Sequence, residues 1–173
     1  MPMHKDNLKA IRSHLGVVFQ DPDDQLFSAT VFDDVAFGPI NMGLPAQDVT
    51  SRTKIALAEV GMEAFESRTP HHLSFGEKKR VSIATILAMQ PELLVLDEPT
   101  SNLDPRQRKN LISLLRNINV TKIIASHDLA MISQLCERVL LLNNGMIIKD
   151  GRTNDILSDP DIMNSNGLEI LGS

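Results

Sequence analysis

At 173 residues the chain is long enough for one domain and short for two. Apolar residues make up 42% of it, or about 47% with the glycines, which excludes a disordered tail and supplies a core. Seventeen Lys and Arg against 22 Asp and Glu leave a net charge of -5, a poor balance for a reader of nucleic-acid backbone. One Cys excludes a disulfide scaffold and nearly excludes a Cys-rich zinc site, and Trp and Tyr are absent.

The start, Met1 through Asp6, is polar and has no secretory apolar stretch. The longest apolar runs, such as residues 93–96 and 139–142, are four residues long. A membrane helix needs about 20. A cytosolic chain is expected, with docking on a membrane protein left open.

Residues 15–19 predict a buried strand. Thr30, with Asp33 three residues on, predicts a short capped helix, which Pro39 and Pro45 then break. Residues 47–60 predict a helix stopped by Gly61. Ser74 and Glu77 form the Ser-x-x-Glu pattern of a capping box, ahead of an apolar helix ending before Pro91. Residues 93–97 predict a strand ending in acid. Asp104-Pro105 predicts a helix start with an apolar face through Leu111, Ile112, Leu115 and Ile118. Residues 122–126 predict another buried strand, and 128–136 another helix. Asn144-Gly145 between two apolar runs predicts a hairpin. From about Asn164 the end is expected to be loose.

Apolar strands alternating with helices predict an α/β fold with a mainly parallel sheet, covered on both faces. Ligands in such sheets sit beyond the carboxyl ends of the strands. Three polar clusters fall there: Gln20-Asp21, Asp97-Glu98 and Ser126-His127-Asp128.

Asp97 and Glu98 suit magnesium-dependent phosphate chemistry, one carboxylate holding Mg²⁺ and the other polarising a water. Taken alone they better suit a strand ending in solvated acids. The helix start at Ser74-Phe75-Gly76-Glu77 offers amides and a hydroxyl to an anion, or is an ordinary cap. Lys78, Lys79 and Arg80 fit a solvated face. His71 and His72 have no further ligand at a zinc-like spacing and fit a loop. Gln20 can touch a metal-bound water, or belong to an Asp-Pro turn. His127 can meet a terminal phosphate oxygen, or simply begin a helix. Cys136 fits core packing.

The order of these clusters is more specific than any one of them. Gln20, Leu73 to Glu77, Leu93 to Ser101, Asp104 and Ser126 to Asp128 together closely resemble the ATP-binding subunits of ABC transporters, over roughly residues 15–157. The stretches Gln20 to Phe27 and Asp34 to Pro39 resemble the energy-coupling-factor and cobalt/nickel types. The resemblance implies a P-loop NTPase fold of ABC type with a helical subdomain. It implies ATP and Mg²⁺ as ligands, a transmembrane transporter subunit and a second ATPase subunit as partners, no nucleic acid, and a place on the cytoplasmic face of a membrane. Gln20 matches the Q-loop glutamine, Ser74, Gly76 and Glu77 the signature, Asp97 the metal carboxylate, and Glu98 the catalytic carboxylate. Asp104 matches the D-loop aspartate and His127 the switch histidine. The implied division is a Q-loop region at about 15–45, a helical subdomain at about 46–90, a core at 91–160 and a loose tail at 161–173.

Two departures stand out. No Gly-x-x-x-x-Gly-Lys-Ser/Thr occurs, so the phosphate-cradling loop is absent from these 173 residues. The expected explanation is an N-terminally incomplete ATPase domain with little activity alone. The alternative is a non-hydrolysing module that supplies its signature to another ATPase subunit. The second departure is Phe75, where the family usually has Gly.

Overall fold

A computed structural model describes residue 11 and residues 13–169, which divide after Ala125 into two compact units. In the first unit β1 (Leu15–Val18), β2 (Leu93–Asp97) and β3 (Thr121–Ala125) form a parallel sheet in the order β1-β2-β3. Val18 pairs with Leu96, and Asp97 with Ala125, so the carboxyl ends of the strands share one edge.

Between β1 and β2 run three helices: α1 (Val31–Asn41), α2 (Ala46–Glu59) and α3 (Phe75–Leu87). They pack on one another, and α3 also packs on β1. Helix α3 is therefore shared by the helical cluster and the sheet. Its stripe Gly76, Lys79, Ile83 and Ile86, spaced by three and four residues, is buried. A Cβ added to Gly16 of β1 would lie 1.9 Å from Cγ2 of Ile86, so only glycine lets the helix approach this closely. Helix α4 (Pro105–Asn117) follows β2 and buries Leu111, Ile112 and Leu115.

Several expectations are corrected. Helix α1 does not break at Pro39 but runs to Asn41. The ring removes one N–H donor, yet Val31, Val35, Ala36 and Pro39 form one buried stripe, and that packing carries the helix through. Among the described residues the two faces of the sheet are covered unequally. Val18, Leu94 and Leu96 are buried, whereas the intervening residues of β1 and β2 are half-buried. Strand β3 is an edge strand with Ile123 55% exposed, not a buried one.

The second unit begins with α5 (Leu129–Leu135), capped by Asp128, whose carboxylate accepts the Met131 N–H at 3.0 Å. Strands β4 (Arg138–Asn143) and β5 (Met146–Arg152) form the hairpin that Asn144-Gly145 predicts, both turn residues having positive φ. Arg138 and Asp150 pair across it, and this pairing holds the Asp150 carboxyl below its usual range. Cys136 is half-buried rather than core. The expected loose tail is helical through Ser165: α6 (Thr153–Leu157) and α7 (Pro160–Ser165) follow the hairpin, and Met163 of α7 is fully buried.

The start of α3 is built as the capping box predicts. The Ser74 hydroxyl accepts the Glu77 N–H, and Oε2 of Glu77 accepts the Ser74 N–H and hydroxyl, each at 2.7 Å. The Ser74 hydroxyl bond is the largest of the influences that hold the Glu77 carboxyl below its usual range, with Arg80 and Arg68 adding to it.

Two outcomes follow from this packing and this cap. Gly16→Ala should destabilise the chain by about 1–3 kcal/mol in urea unfolding, because Ile86 must be displaced. Folding lowers the Glu77 pKa, so its contribution is complete above the ordinary value of 4.5 and disappears as pH falls through the lowered one. Glu77→Gln should therefore be less stable than the parent at neutral pH. The two unfolding midpoints should converge in acid below that lowered value.

Candidate nucleotide site at the carboxyl edge of the sheet

Parallel pairing of β1 with β2 puts Gln20 and the pair Asp97-Glu98 beyond the same edge of neighbouring strands. Asp97 closes β2, and its side chain is exposed. The next residue turns sharply: Glu98 has φ +40, in the left-handed region that a non-glycine residue rarely adopts. Backbone and side-chain bonds hold it there. The Glu98 N–H donates to the Ala125 carbonyl at 2.9 Å. The Glu98 carbonyl accepts from the Ser101 N–H at 3.2 Å, the Ser101 hydroxyl at 2.8 Å and the Lys79 ammonium at 3.3 Å.

Lys79 is the functional-site residue that the sequence reading missed. It is not on a solvated face, for the side chain is only 1% exposed. Its Nζ also donates to the Gln20 carbonyl at 2.6 Å. One ammonium thus holds the backbones of both edge residues. Burial pulls the Lys79 pKa below the ordinary lysine range, while the charges of Asp21, Asp97 and Glu98 push the other way. The Phe75 ring lies against this ammonium, 5.8 Å from Nζ to its centroid. The signal was present as spacing: Lys79 lies three residues after Gly76 and four before Ile83, on the inward stripe.

The loop after β1 is tied to α3 at two further points. Lys78 pairs with Asp23 at 2.7 Å. The Gln25 amide donates to the Ser82 carbonyl at 2.8 Å and the Thr85 hydroxyl at 2.7 Å, and its oxygen accepts the Phe19 N–H. Gln20, Asp97 and Glu98 therefore gather around the middle of α3, while Ser74, Gly76 and Glu77 occupy its first turn.

Ser74 is exposed, Gly76 is buried, and the Glu77 carboxylate is turned back on Ser74. Asp104 caps α4 by accepting the Gln107 N–H at 2.9 Å. The Gln107 side chain lies over Gly76, with Oε1 2.2 Å from where a Cβ would be. His127 lies in the second unit, just before the Asp128 cap. His71 and His72 lie in an exposed 3-10 turn, Pro70–His72.

Among the described residues no group of three or more His, Cys, Asp or Glu is placed to hold a metal ion. What the edge offers is one strand-end carboxylate and the Gln20 amide, both hard oxygen donors. That set fits a magnesium ion that keeps water and phosphate oxygens as its other ligands, rather than a dedicated protein cage. No helix among the described residues is long and apolar enough to cross a membrane.

The ABC transporter family profile matches residues 1–101. A putative ABC transporter ATP-binding protein of Streptomyces avermitilis is 50% identical over 170 residues, 98% of this chain and 65% of that protein. An energy-coupling factor transporter ATP-binding protein, EcfA, of Methanothermobacter thermautotrophicus is 50% identical over 169 residues, 96% of this chain and 54% of that protein. The solved structure of cbiO1 from Clostridium perfringens, described as part of the ABC transporter complex cbiONQ, matches with a TM-score of 0.83 and 38% identity. That match covers 94% of this chain and 66% of that one. The chain thus spans less than two thirds of the length of these two curated relatives. With the family profile, the identities and the fold in agreement, the chain belongs to the ABC transporter family of ATP-binding proteins.

Proposed function

We propose that this chain belongs to an ATP-hydrolysing subunit that energises uptake of a cation or small-molecule micronutrient, of the energy-coupling-factor or cobalt type. One observation carries the reading: Gln20 and Asp97-Glu98 lie beyond the same edge of adjacent parallel strands, where phosphate chemistry is performed in open α/β sheets. The names of the relatives support the transport class. The partners are a transmembrane transporter subunit and a second ATPase subunit, with no nucleic acid. The location is the cytoplasmic face of the membrane.

Asp97 would hold Mg²⁺ together with Gln20. The ion, when bound, neutralises charge on the phosphate oxygens. Glu98 polarises the attacking water and accepts its proton on the carboxylate. Gln20 orients that water through its amide. His127 donates a hydrogen bond to the terminal phosphate. Ser74 and Gly76 present a hydroxyl and helix N-terminal amides to nucleotide held by the second ATPase subunit, with Glu77 keeping that turn in shape. Asp104 keeps the adjacent α4 start in shape.

A second reading has its own support. The signature turn is closed by its capping box, and Ser74 is exposed at it. On that reading the chain completes the site of another ATPase and hydrolyses nothing itself.

Three measurements test these proposals. Titration of these 173 residues with MgATP should give only weak binding, because no phosphate-cradling motif lies within them; micromolar affinity overturns that expectation. In the native transporter complex, Glu98→Gln should lower ATP turnover about 100-fold or more while leaving nucleotide binding intact. Unchanged turnover there refutes the role of Glu98. Stimulated turnover on adding this chain to an intact ATPase of the family would favour the second reading.

A further inference from the structure

We propose that Lys79, covered by the Phe75 ring, is a positioning residue that clamps the Gln20 and Glu98 backbones to helix α3 and so sets the direction in which both side chains leave the sheet edge. The inference rests on the functional reading above for what those side chains do, but the clamp itself stands on geometry alone.

An ammonium has three donors and no acceptor. Two are committed, at 2.6 Å to the Gln20 carbonyl and at 3.3 Å to the Glu98 carbonyl. The ring of Phe75, one helical turn earlier, lies against the same Nζ. A charge this deeply buried is costly unless it is paired and hydrogen-bonded, so the fold retains Lys79 only with those partners in place. Asp21, Asp97 and Glu98 supply the opposing charge.

The consequence is specific. Glu98 occupies a left-handed backbone, and such residues persist where their surroundings over-determine them. The bond from Lys79 comes from helix α3, another layer of the fold than the sheet and turn that supply the Ala125 and Ser101 bonds. The same ammonium fixes Gln20. Movement of either segment along α3 is therefore felt by the other through a single side chain. Phe75, at the position where the signature usually has glycine, gains a reason: it shields the ammonium from water at the helix start.

The test compares Lys79→Met, which keeps length and removes the donors, with Lys79→Arg, which keeps them. Hydrogen exchange is followed at the Asp24, Gln25, Glu98 and Ser101 amides, each hydrogen-bonded in the structure, with those of Ile83 to Leu87 as the reference. Lys79→Met should speed exchange at the four amides about tenfold while the α3 amides keep their protection, and Lys79→Arg should restore it. Phe75→Leu should fall between. Unchanged exchange at the four amides overturns the clamp. So does a uniform rise through α3, which would mark a purely structural role, and so does an Arg variant as loose as Met.

In the native transporter complex, Lys79→Met should lower kcat about tenfold with the KM for ATP within about twofold, and Lys79→Arg should recover most of it. Local loosening with unchanged kcat leaves the clamp standing and overturns instead the catalytic roles proposed for Gln20 and Glu98.

Discussion

The close approach of helix α3 to strand β1 is the contact on which the other features depend. Gly16 offers no side chain, so Ile86 occupies the space where a Cβ would be. This seats the last turns of α3 on the sheet. Because the stripe through Ile86 and Ile83 continues at Lys79 and Gly76, the same contact directs the lysine toward the carboxyl edge and the glycine under Gln107. A helix held farther from β1 would leave the ammonium short of both carbonyls. The first turn of α3, with its Ser74-Glu77 box, is thereby fixed relative to β1 and β2 within one unit.

The carboxyl edge then holds two costly features that support each other. A left-handed non-glycine residue costs roughly 1–3 kcal/mol. A buried ammonium without partners would cost more. Here the carbonyl that the left-handed turn of Glu98 exposes is an acceptor for the ammonium, and a hydrogen bond to a charged donor contributes about 1.5–3 kcal/mol. Neither feature stands easily without the other. A simple strand ending in solvated acids would need neither, and that ordinary alternative does not account for the lysine.

The elements most legible in the sequence were those set by local chemistry. The Ser74, Thr30, Asp104 and Asp128 caps form as their side chains dictate, since a cap is satisfied within three residues. The Asn144-Gly145 hairpin forms because both residues tolerate positive φ. What local reasoning lost were features decided by tertiary packing. Pro39 reads as a breaker until its ring proves to be part of the buried stripe of α1. Strand β3 reads as buried because its apolar content does not reveal that it lies at an edge of the described sheet. Met163 reads as tail because one buried methionine makes no periodic pattern. Lys79 was hidden by its neighbours: Lys78 and Arg80 make a charge run, and a run suggests solvent even when helical spacing turns its middle member inward.

The two glycines that α3 contacts or contains answer to different demands. At Gly16 the obstacle to a side chain is a branched carbon of a packed core residue, which cannot yield without disturbing α3. At Gly76 the obstacle is the amide end of Gln107, the far end of a flexible side chain that can swing away. The fold therefore requires glycine at 16 and does not require it at 76. A glycine that the fold could replace, on the first turn of a capped helix, is explained on the proposed function by the nucleotide that approaches it. That is the demand expected of a residue meant to let an anion come close to the helix start. On the proposed function the signature turn and the carboxyl edge are then separate parts of the chemistry, the first serving a ligand held elsewhere and the second supplying side chains of this chain.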